Sequence, residues 1–305
     1  MIKLCEILNY LETQKIKYTY LGKKELEIIS YCPLKLLRDS CITWIRNMSN
    51  ENMLYIKNHN DLLIVCESFE GYEQCGNFIC VENPHKTFFK VMEKFFVHTE
   101  EICEIASSAV IETKQLGKNN SIGNFTYIGP DVVLGNNVRI DHNVTIEGKV
   151  TICDNTIIES GVVIGLCGFG HYKEDGINVR IPHLGGVMIG SDCYIGSNTT
   201  IARGTLSDTC IGNHVKIDAL CHIAHNVEIG NNVIITGGAK IAGSTIIEDD
   251  VWIGPNTIIN NGLTIGKHSF IGIGSVVTKN VPEEKEVFGF PARVIKNNTP
   301  NVYNS

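Results

Sequence analysis

The chain has 305 residues, of which 43% are apolar, so it is long enough for two domains with buried cores. Its formal net charge is −7 and its calculated pI is about 5.8, which argues against a nucleic-acid binder, since such proteins usually carry a basic surplus. No stretch approaches the roughly 20 apolar residues that span a bilayer, and the first ten residues lack a sustained apolar region, so we expect neither a membrane span nor a secretory signal.

Twelve cysteines are spread along the chain and never form a C-x-x-C pair. Isolated cysteines in apolar, strand-like segments are typical of reduced, buried side chains. They favour a cytoplasmic protein without a metal site.

Residues 1–103 carry no repeat. Segments 4–11 and 88–96 place apolar side chains at helical spacing, whereas segments 61–66 and 77–81 are apolar runs typical of buried strands. We therefore predict a small α/β domain over residues 1–103.

A six-residue repeat governs residues 104–278. An aliphatic residue recurs every six positions in the runs 116–164, 189–201 and 211–277, and a glycine often follows it. Neither a helix, with about 3.6 residues per turn, nor a strand, with a period of two, gives this spacing. Three such segments make an 18-residue coil with three flat sides, and stacked coils pair as parallel strands about 4.8 Å apart. We predict a mainly β protein whose residues 104–278 form a parallel β-helix, with aliphatic residues inside and glycines bending the corners.

Two segments interrupt the repeat and a third ends it. Residues 168–186 and 203–208 are insertions that a prism does not need, and inserted loops often carry function. Beyond residue 278, Pro282 and Pro291 mark a different tail, which we assign to residues 279–305.

One histidine of the repeat stands in an outward position. Ile223 and Val227 take the inward positions around it, and Gly243 follows His225 by eighteen residues, which is one full coil. The two residues should therefore stack about 5 Å apart on one edge of the prism. A neutral imidazole beside a free backbone N–H can act as a general base next to an oxyanion donor. A solvated surface histidine fits the spacing as well, so both interpretations stay open.

The repeat and its interruptions resemble the UDP-3-O-acylglucosamine N-acyltransferases of lipid A synthesis, which are hexapeptide-repeat enzymes. The resemblance runs in order over residues 168–244 and is carried by Phe169-Gly170, Arg180-Ile181-Pro182, Ile189-Gly190, Arg203-Gly204, Asp208-Thr209, Ile211-Gly212-Asn213, Ile217-Asp218, Ile223-Ala224-His225-Asn226, Ile229-Gly230 and Ala242-Gly243-Ser244.

This resemblance implies a left-handed prism and a homotrimer with sites at subunit boundaries. It implies that His225 is the catalytic base and that the Gly243 amide steadies the oxyanion. Asp218 lies in the matching block and either orients the imidazole or only forms a corner of the coil. His222 is expected to be structural or to lie beside the substrate.

Two features depart from that family. Its second histidine is missing, because the matching position is Gly262, and segments 272–282 and 288–295 stand where the family has a helical extension. These segments resemble the terminus of coenzyme-A-dependent sugar acyltransferases. By that resemblance Gly274 would let a pantetheine arm approach the backbone, and Arg293 would pair with a phosphate or remain a solvated tail residue. We therefore expect acyl-CoA rather than acyl carrier protein as the co-substrate, and no permanently bound cofactor.

The N-terminal domain is expected to hold the nucleotide of a sugar nucleotide. By resemblance, Trp44 would stack on the base and Asn47 would bond the edge of the base, although Trp44 also fits a core position. In the first inserted loop, Phe169 and Gly170 would shape an acyl or sugar pocket.

These features predict an N-acyltransferase that moves an acyl group from acyl-CoA to the amine of a UDP- or dTDP-linked amino sugar, for a surface polysaccharide or lipopolysaccharide. One alternative is a lipid A-type enzyme that uses acyl carrier protein, and another is a sugar O-acetyltransferase. A zinc lyase of the γ-carbonic-anhydrase type shares this prism but needs an H-x₄-H pair, which the sequence lacks. A non-catalytic scaffold would bind neither substrate.

Overall fold

The computed structural model describes residues 1–46, 48–68, 76–97 and 104–297. Contacts divide the chain into two compact units, Met1–Glu101 and Ile102–Asn304. The elements described in the first unit are β1 (Ile2–Lys3), α1 (Leu4–Thr13), β2 (Thr19–Leu21), β3 (Glu27–Ile28), β4 (Ser30–Tyr31), a 3-10 turn (Leu34–Leu36), β5 (Cys41–Ile45), α2 (Asn50–Ile56), β6 (Leu63–Cys66), β7 (Asn77–Cys80) and α3 (Pro84–Phe95).

The first unit is built on a sheet with the strand order β2-β7-β6-β5-β4, parallel except where β2 meets β7. Leu4, Ile7 and Leu11 form the buried stripe of α1. Helix α3 begins at Pro84, four residues before the predicted segment, because the Asn83 side chain caps it by accepting a 2.9 Å hydrogen bond from the Lys86 amide. The helices and strands predicted in this region are all present.

The second unit consists of short strands, most of them two or three residues long. They are β8 (Val110–Ile111), β9 (Gln115–Leu116), β10 (Ser121–Ile122), β11 (Tyr127–Ile128), β12 (Val132–Leu134), β13 (Arg139–Ile140), β14 (Thr145–Ile146), β15 (Val150–Ile152), β16 (Ile157–Ile158), β17 (Val163–Leu166), β18 (His171–Glu174), β19 (Ile177–Arg180), β20 (Val187–Ile189), β21 (Tyr194–Ile195), β22 (Thr200–Ala202), β23 (Thr209–Ile211), β24 (Lys216–Ile217), β25 (His222–Ile223), β26 (Glu228–Ile229), β27 (Ile234–Ile235), β28 (Lys240–Ile241), β29 (Ile246–Ile247), β30 (Trp252–Ile253), β31 (Ile258–Ile259), β32 (Thr264–Ile265), β33 (Phe270–Ile271), β34 (Val276–Val277), β35 (Lys285–Gly289) and β36 (Ala292–Asn297).

These strands form the three sides of a prism. Side 1 runs from β10 through β24 to β33, side 2 from β8 through β25 to β34, and side 3 from β9 through β26 to β32. Neighbours on each side are parallel and, in the regular coils, are offset by eighteen residues, so that His222 pairs with Lys240 and Ile223 with Ile241. The predicted mainly β class and parallel β-helix are confirmed.

The core is the column of inward aliphatic side chains. Ile223, Ile241 and Ile259 are fully buried, and burial of each such side chain contributes roughly 1.5–3 kcal/mol. The corners differ from the sequence prediction, because the left-handed residue lies three places after the inward one and is usually not glycine. Asn137 and Asn143, for example, have φ of 55° and 57°.

The glycine that follows an inward residue serves close packing instead. A Cβ on Gly117 would lie 2.2 Å from the carbonyl oxygen of Gly135 in the next coil. Since no side chain tolerates that distance, these glycines let successive coils approach each other.

The interruptions leave the coil and return to it. The first extends as the antiparallel hairpin β18–β19, after which β20 resumes the register of side 3 by pairing with β15. The second, residues 203–208, is a short bulge between β22 and β23. The predicted tail is not separate from the prism, because Val281 and Val287 belong to its buried core and β35 pairs in parallel with β33.

Candidate active site

A groove of about 420 Å³ opens on side 2 of the prism. Its lining is mostly apolar, and its nitrogen-bearing side chains are His222, His225 and Lys240. Three alanines along it each follow an inward isoleucine in successive coils: Ala202, Ala224 and Ala242. Small side chains at these stacked positions leave an apolar trough that runs along the prism axis.

His225 and Gly243 meet in this groove, as the eighteen-residue spacing predicts. The Ser244 amide donates a 3.0 Å hydrogen bond to the His225 carbonyl, which ties the two coils together at this corner. A Cβ on Gly243 would lie 2.8 Å from Cε1 and 2.9 Å from Nε2 of the imidazole. Glycine at this position therefore makes room for the ring, which lies against its α-carbon.

Asn226 fixes the tautomer of His225. Its Oδ1 lies 3.1 Å from His225 Nδ1 and also accepts hydrogen bonds from the amide and hydroxyl of Thr205, both at 3.0 Å. Its Nδ2 donates to the carbonyl oxygen of Ser207 at 3.2 Å, so the orientation of the amide is determined. Because Oδ1 only accepts, His225 Nδ1 carries the hydrogen, and Nε2 is the nitrogen that bears the lone pair in the neutral ring.

The second insertion, residues 203–208, thus holds the Asn226 side chain that contacts the imidazole. Arg203 anchors this loop by donating from Nε to the Gly165 carbonyl at 2.6 Å and from Nη2 to Glu147 at 3.1 Å. The sequence reasoning did not assign Asn226, although its place directly after His225 and its left-handed φ of 60° were the available signals.

The Gly243 amide is available to a ligand. Among the described residues it donates no backbone hydrogen bond, whereas the neighbouring Ala242 and Ser244 amides both do. A basic nitrogen and a free N–H donor at one end of an apolar trough are the two elements that acyl transfer requires.

His222 lies beside this pair, with Nδ1 2.7 Å from the Thr200 hydroxyl. Burial lowers the pKa of His222, and the charge of Lys240 acts in the same direction. His222 therefore lines the groove as a neutral ring.

Asp218 does not orient His225 within the chain. Its carboxylate accepts hydrogen bonds from the Ala219 amide at 2.7 Å and from the Gly237 amide at 3.0 Å. These bonds brace a corner between two coils, so the structure places Asp218 in its alternative, structural role, and Asn226 holds the imidazole instead.

The first interruption contributes Phe169 to the groove. Phe169 is 89% exposed, and its ring centroid lies 4.5 Å from that of His171. Gly170 lies behind it and accepts a 2.8 Å hydrogen bond from the Ile181 amide, so it shapes the loop without lining the groove. The same loop also brings His183 against His225, a contact that the sequence reasoning missed.

The tail residues assigned to the co-substrate lie further along the prism. Gly274 has a φ of 64°, and no atom lies within 4 Å of a Cβ built on it, so the backbone there is open to approach. Arg293 is exposed and lines a pocket of about 200 Å³ together with Lys279. This pocket begins at Val277, one coil beyond Ile259 at the end of the groove.

The first unit has a cavity of about 750 Å³ with aromatic walls. Trp44 lines it together with Tyr31 and Phe89, which are 56% and 50% exposed. Trp44 is half-buried and stands edge-on to His85 at 4.8 Å, so it serves both the core and the cavity. Asn47 lies outside the described residues.

In the described part of the chain, no three His, Cys, Asp or Glu side chains gather where they could hold a metal ion. Within the same residues, no helix combines the length and apolar character that crossing a bilayer requires.

Comparison with known proteins finds two repeat models that match parts of the prism. The model of the bacterial transferase hexapeptide (six repeats) matches residues 113–148, 131–166, 208–243 and 244–279, and that of the hexapeptide repeat of succinyl-transferase matches 186–219. Two solved structures share the fold. One is a UDP-N-acetylglucosamine acyltransferase from Campylobacter jejuni, with 29% identity, a TM-score of 0.58 and coverage of 64% of this chain and 75% of that one. The other is LpxA from Acinetobacter baumannii, with 26% identity, a TM-score of 0.55 and coverage of 63% and 73%.

Two sequence relatives carry the name UDP-3-O-acylglucosamine N-acyltransferase. The UDP-3-O-acylglucosamine N-acyltransferase of Coxiella burnetii is 54% identical over 89 residues, which are 29% of this chain and 26% of that protein. The enzyme of the same name from Pseudomonas entomophila is 36% identical over 230 residues, covering 69% of this chain and 65% of the relative. The matches thus span about a quarter to just under two thirds of the length of these relatives. The chain carries hexapeptide repeats and is similar in sequence to the UDP-3-O-acylglucosamine N-acyltransferases.

Proposed function

We propose that the protein is an N-acyltransferase that moves an acyl group from a pantetheine thioester to the amine of a UDP-glucosamine-type sugar. One observation carries the proposal. In a groove with apolar walls, His225 presents a basic Nε2 beside Gly243, whose amide has no acceptor among the described residues.

The reaction follows from these two groups. The neutral sugar amine attacks the thioester carbonyl, a C–N bond forms, and the carbonyl oxygen becomes an oxyanion that the Gly243 N–H stabilises. His225 Nε2 takes the proton that the attacking nitrogen loses. The C–S bond then breaks, and the imidazolium returns the proton to the leaving thiolate. A positioned base contributes about 10²–10⁴-fold and an oxyanion donor about 2.7–4 kcal/mol.

The names of the relatives support a UDP-3-O-acylglucosamine acceptor. They favour the lipid A-type alternative over the surface-polysaccharide sugar that the tail led us to expect. The cavity of the first unit supports a nucleotide, since Trp44, Tyr31 and Phe89 offer rings on which a base can stack. Arg46, which lines the same cavity, offers a cation for the diphosphate.

We propose a pantetheine thioester as the donor because acyl-CoA and acyl carrier protein both carry the acyl group on a pantetheine arm. The trough past Ala242 and Ile258 suits the acyl chain, and the pocket lined by Lys279 and Arg293 suits a phosphate one coil beyond the groove. An acyl-CoA and an acyl carrier protein differ beyond this phosphate, so the choice between them is left to experiment.

The test is a product assay on the full chain with UDP-3-O-acylglucosamine and either acyl-CoA or acyl carrier protein as donor. We expect a new amide by mass spectrometry and at least a hundredfold loss of turnover in His225→Ala. His142→Ala, at an exposed histidine that does not line the groove, is the control and should keep normal turnover. Ester formation on a hydroxyl sugar, or normal turnover of His225→Ala, would contradict the proposal.

A further inference from the structure

His183, from the first interruption, carries an unexplained nitrogen. The side chain is only 6% exposed, and its Nε2 is the one buried side-chain nitrogen or oxygen of the described residues that lacks a hydrogen-bond partner. An orphaned buried polar atom costs free energy, so its retention calls for a reason.

The protonation of His183 is determined by its other nitrogen. Nδ1 lies 2.9 Å from the Ile181 carbonyl oxygen, which can only accept, so Nδ1 carries the hydrogen and Nε2 keeps a lone pair. Burial lowers the pKa of His183, against the raising effect of the Ile181 carbonyl, and the electrostatic influence of nearby His225, Arg180 and Arg203 lowers it further. The ring is therefore neutral near pH 7.

The ring packs directly against the base. The centroids of His183 and His225 are 5.1 Å apart, with an angle of 68° between the ring planes. Gly168 lies between them, because a Cβ built on it would fall 2.4 Å from His183 Nε2 and 2.9 Å from His225 Cβ. The edge with the lone pair thus faces the backbone at Gly168, next to the base.

We infer that His183 is a positioning residue for His225, a neutral imidazole that holds the base over Gly243 and favours the imidazolium formed when the base takes a proton. The charged groups near His183 and the other basic groups of the groove are unsuited to this role. Lys240, Arg180 and Arg203 are cations that oppose a second positive charge, and His222 is held by Thr200. The catalytic consequence of this inference rests on the proposed function, whereas the coupling between the two rings does not.

The test compares three variants of the full chain with histidine-selective isotope labels. His183→Leu and His183→Phe remove both nitrogens, whereas His183→Gln keeps an amide donor for Ile181 and an acceptor in place of Nε2. We expect the midpoint of the His225 NMR titration, assigned with His225→Gln, to fall by about one pH unit in the Leu and Phe variants and to stay near the wild-type value in the Gln variant. The acidic limb of kcat/KM should move in step, with kcat about tenfold lower and KM little changed.

Thermal unfolding of each variant shows which of them retain the fold, and either Leu or Phe suffices. An unchanged or higher His225 midpoint in whichever of His183→Leu and His183→Phe folds would overturn the inference. So would a His183→Gln variant in which the midpoint falls as far as in His183→Leu. Because the titration needs no substrate, a shifted midpoint without any acyl transfer would reject the proposed function and leave the coupling standing. Acyl transfer with an unchanged His225 midpoint would support the proposed function and reject the coupling between the two rings.

Discussion

The regular coils and the interrupted coils of the prism contribute differently to the candidate site. The regular coils bury their isoleucines and bring His225 over Gly243 through the eighteen-residue register alone. The interrupted coils supply the support around the imidazole: Thr205 of the second insertion holds the Asn226 side chain against the ring, and the first insertion brings His183 against it. The repeat thus sets the position of the base, and the departures from the repeat set its orientation.

The largest effect should come from the regular coils and should appear in stability. Ile247→Ala, at a fully inward side chain, should lower the free energy of unfolding by about 2–5 kcal/mol, because it leaves a cavity in the column. The adjacent Ile246 is 41% exposed and points outward, so Ile246→Ala is the matched control and should cost less than about 1 kcal/mol. Urea unfolding measures the free energy of unfolding of both variants. Equal losses would contradict the assignment of Ile247 to the core and of Ile246 to the surface.

Gly243→Ala should lower turnover by about a hundredfold, because the new Cβ would displace the imidazole with which it collides. Gly129→Ala is the control, since a Cβ there meets nothing closer than 3.4 Å. Steady-state kinetics on both variants test the placement. Full activity in Gly243→Ala would mean that the base does not act from this position.

Asn226→Gly should reduce kcat by about tenfold, which corresponds to the loss of one hydrogen bond that orients the base. Glycine accepts the left-handed backbone without strain, and Asn226→Asp keeps an acceptor for His225 while losing the donor to Ser207. We expect the Asp variant to retain most of the activity. If Gly and Asp lose activity equally, Asn226 serves the loop rather than the imidazole.

The smallest effect concerns pH and stability. Burial lowers the pKa of both His183 and His222 below the ordinary value of about 6.5. As the pH falls below about 6.5, these histidines bind protons in the unfolded chain before they do so in the folded chain, so the free energy of unfolding decreases. Above that value the two histidines are neutral in both states and add no pH dependence to the stability. Thermal melts between pH 5 and pH 8 should show this loss, and His183→Gln should reduce it. The exposed His171→Gln serves as the control and should leave the slope unchanged.

The spacing of the sequence determined much of the prism. A period of six leaves a three-sided coil as the consistent arrangement, and one full coil is eighteen residues, so the neighbour of His225 could be counted along the chain. The role of glycine was misjudged, because close packing between coils and a left-handed corner both favour small residues. Only the backbone angles show that most corners are taken by residues other than glycine, asparagine most often, and that the glycines after the inward residues serve the contact between coils.

The tertiary structure alone decided how the imidazole is held. Asp218 lay in the matching block of the sequence, yet its carboxylate braces a corner. The groups that hold His225 depend on insertions that follow no period, since Thr205 fixes the Asn226 side chain and His183 comes from the first inserted loop. A periodic pattern fixes neighbours because every coil repeats the same rise and turn. An inserted loop has no such rule, so its contacts follow from local hydrogen bonds and packing that exist only once the chain is folded.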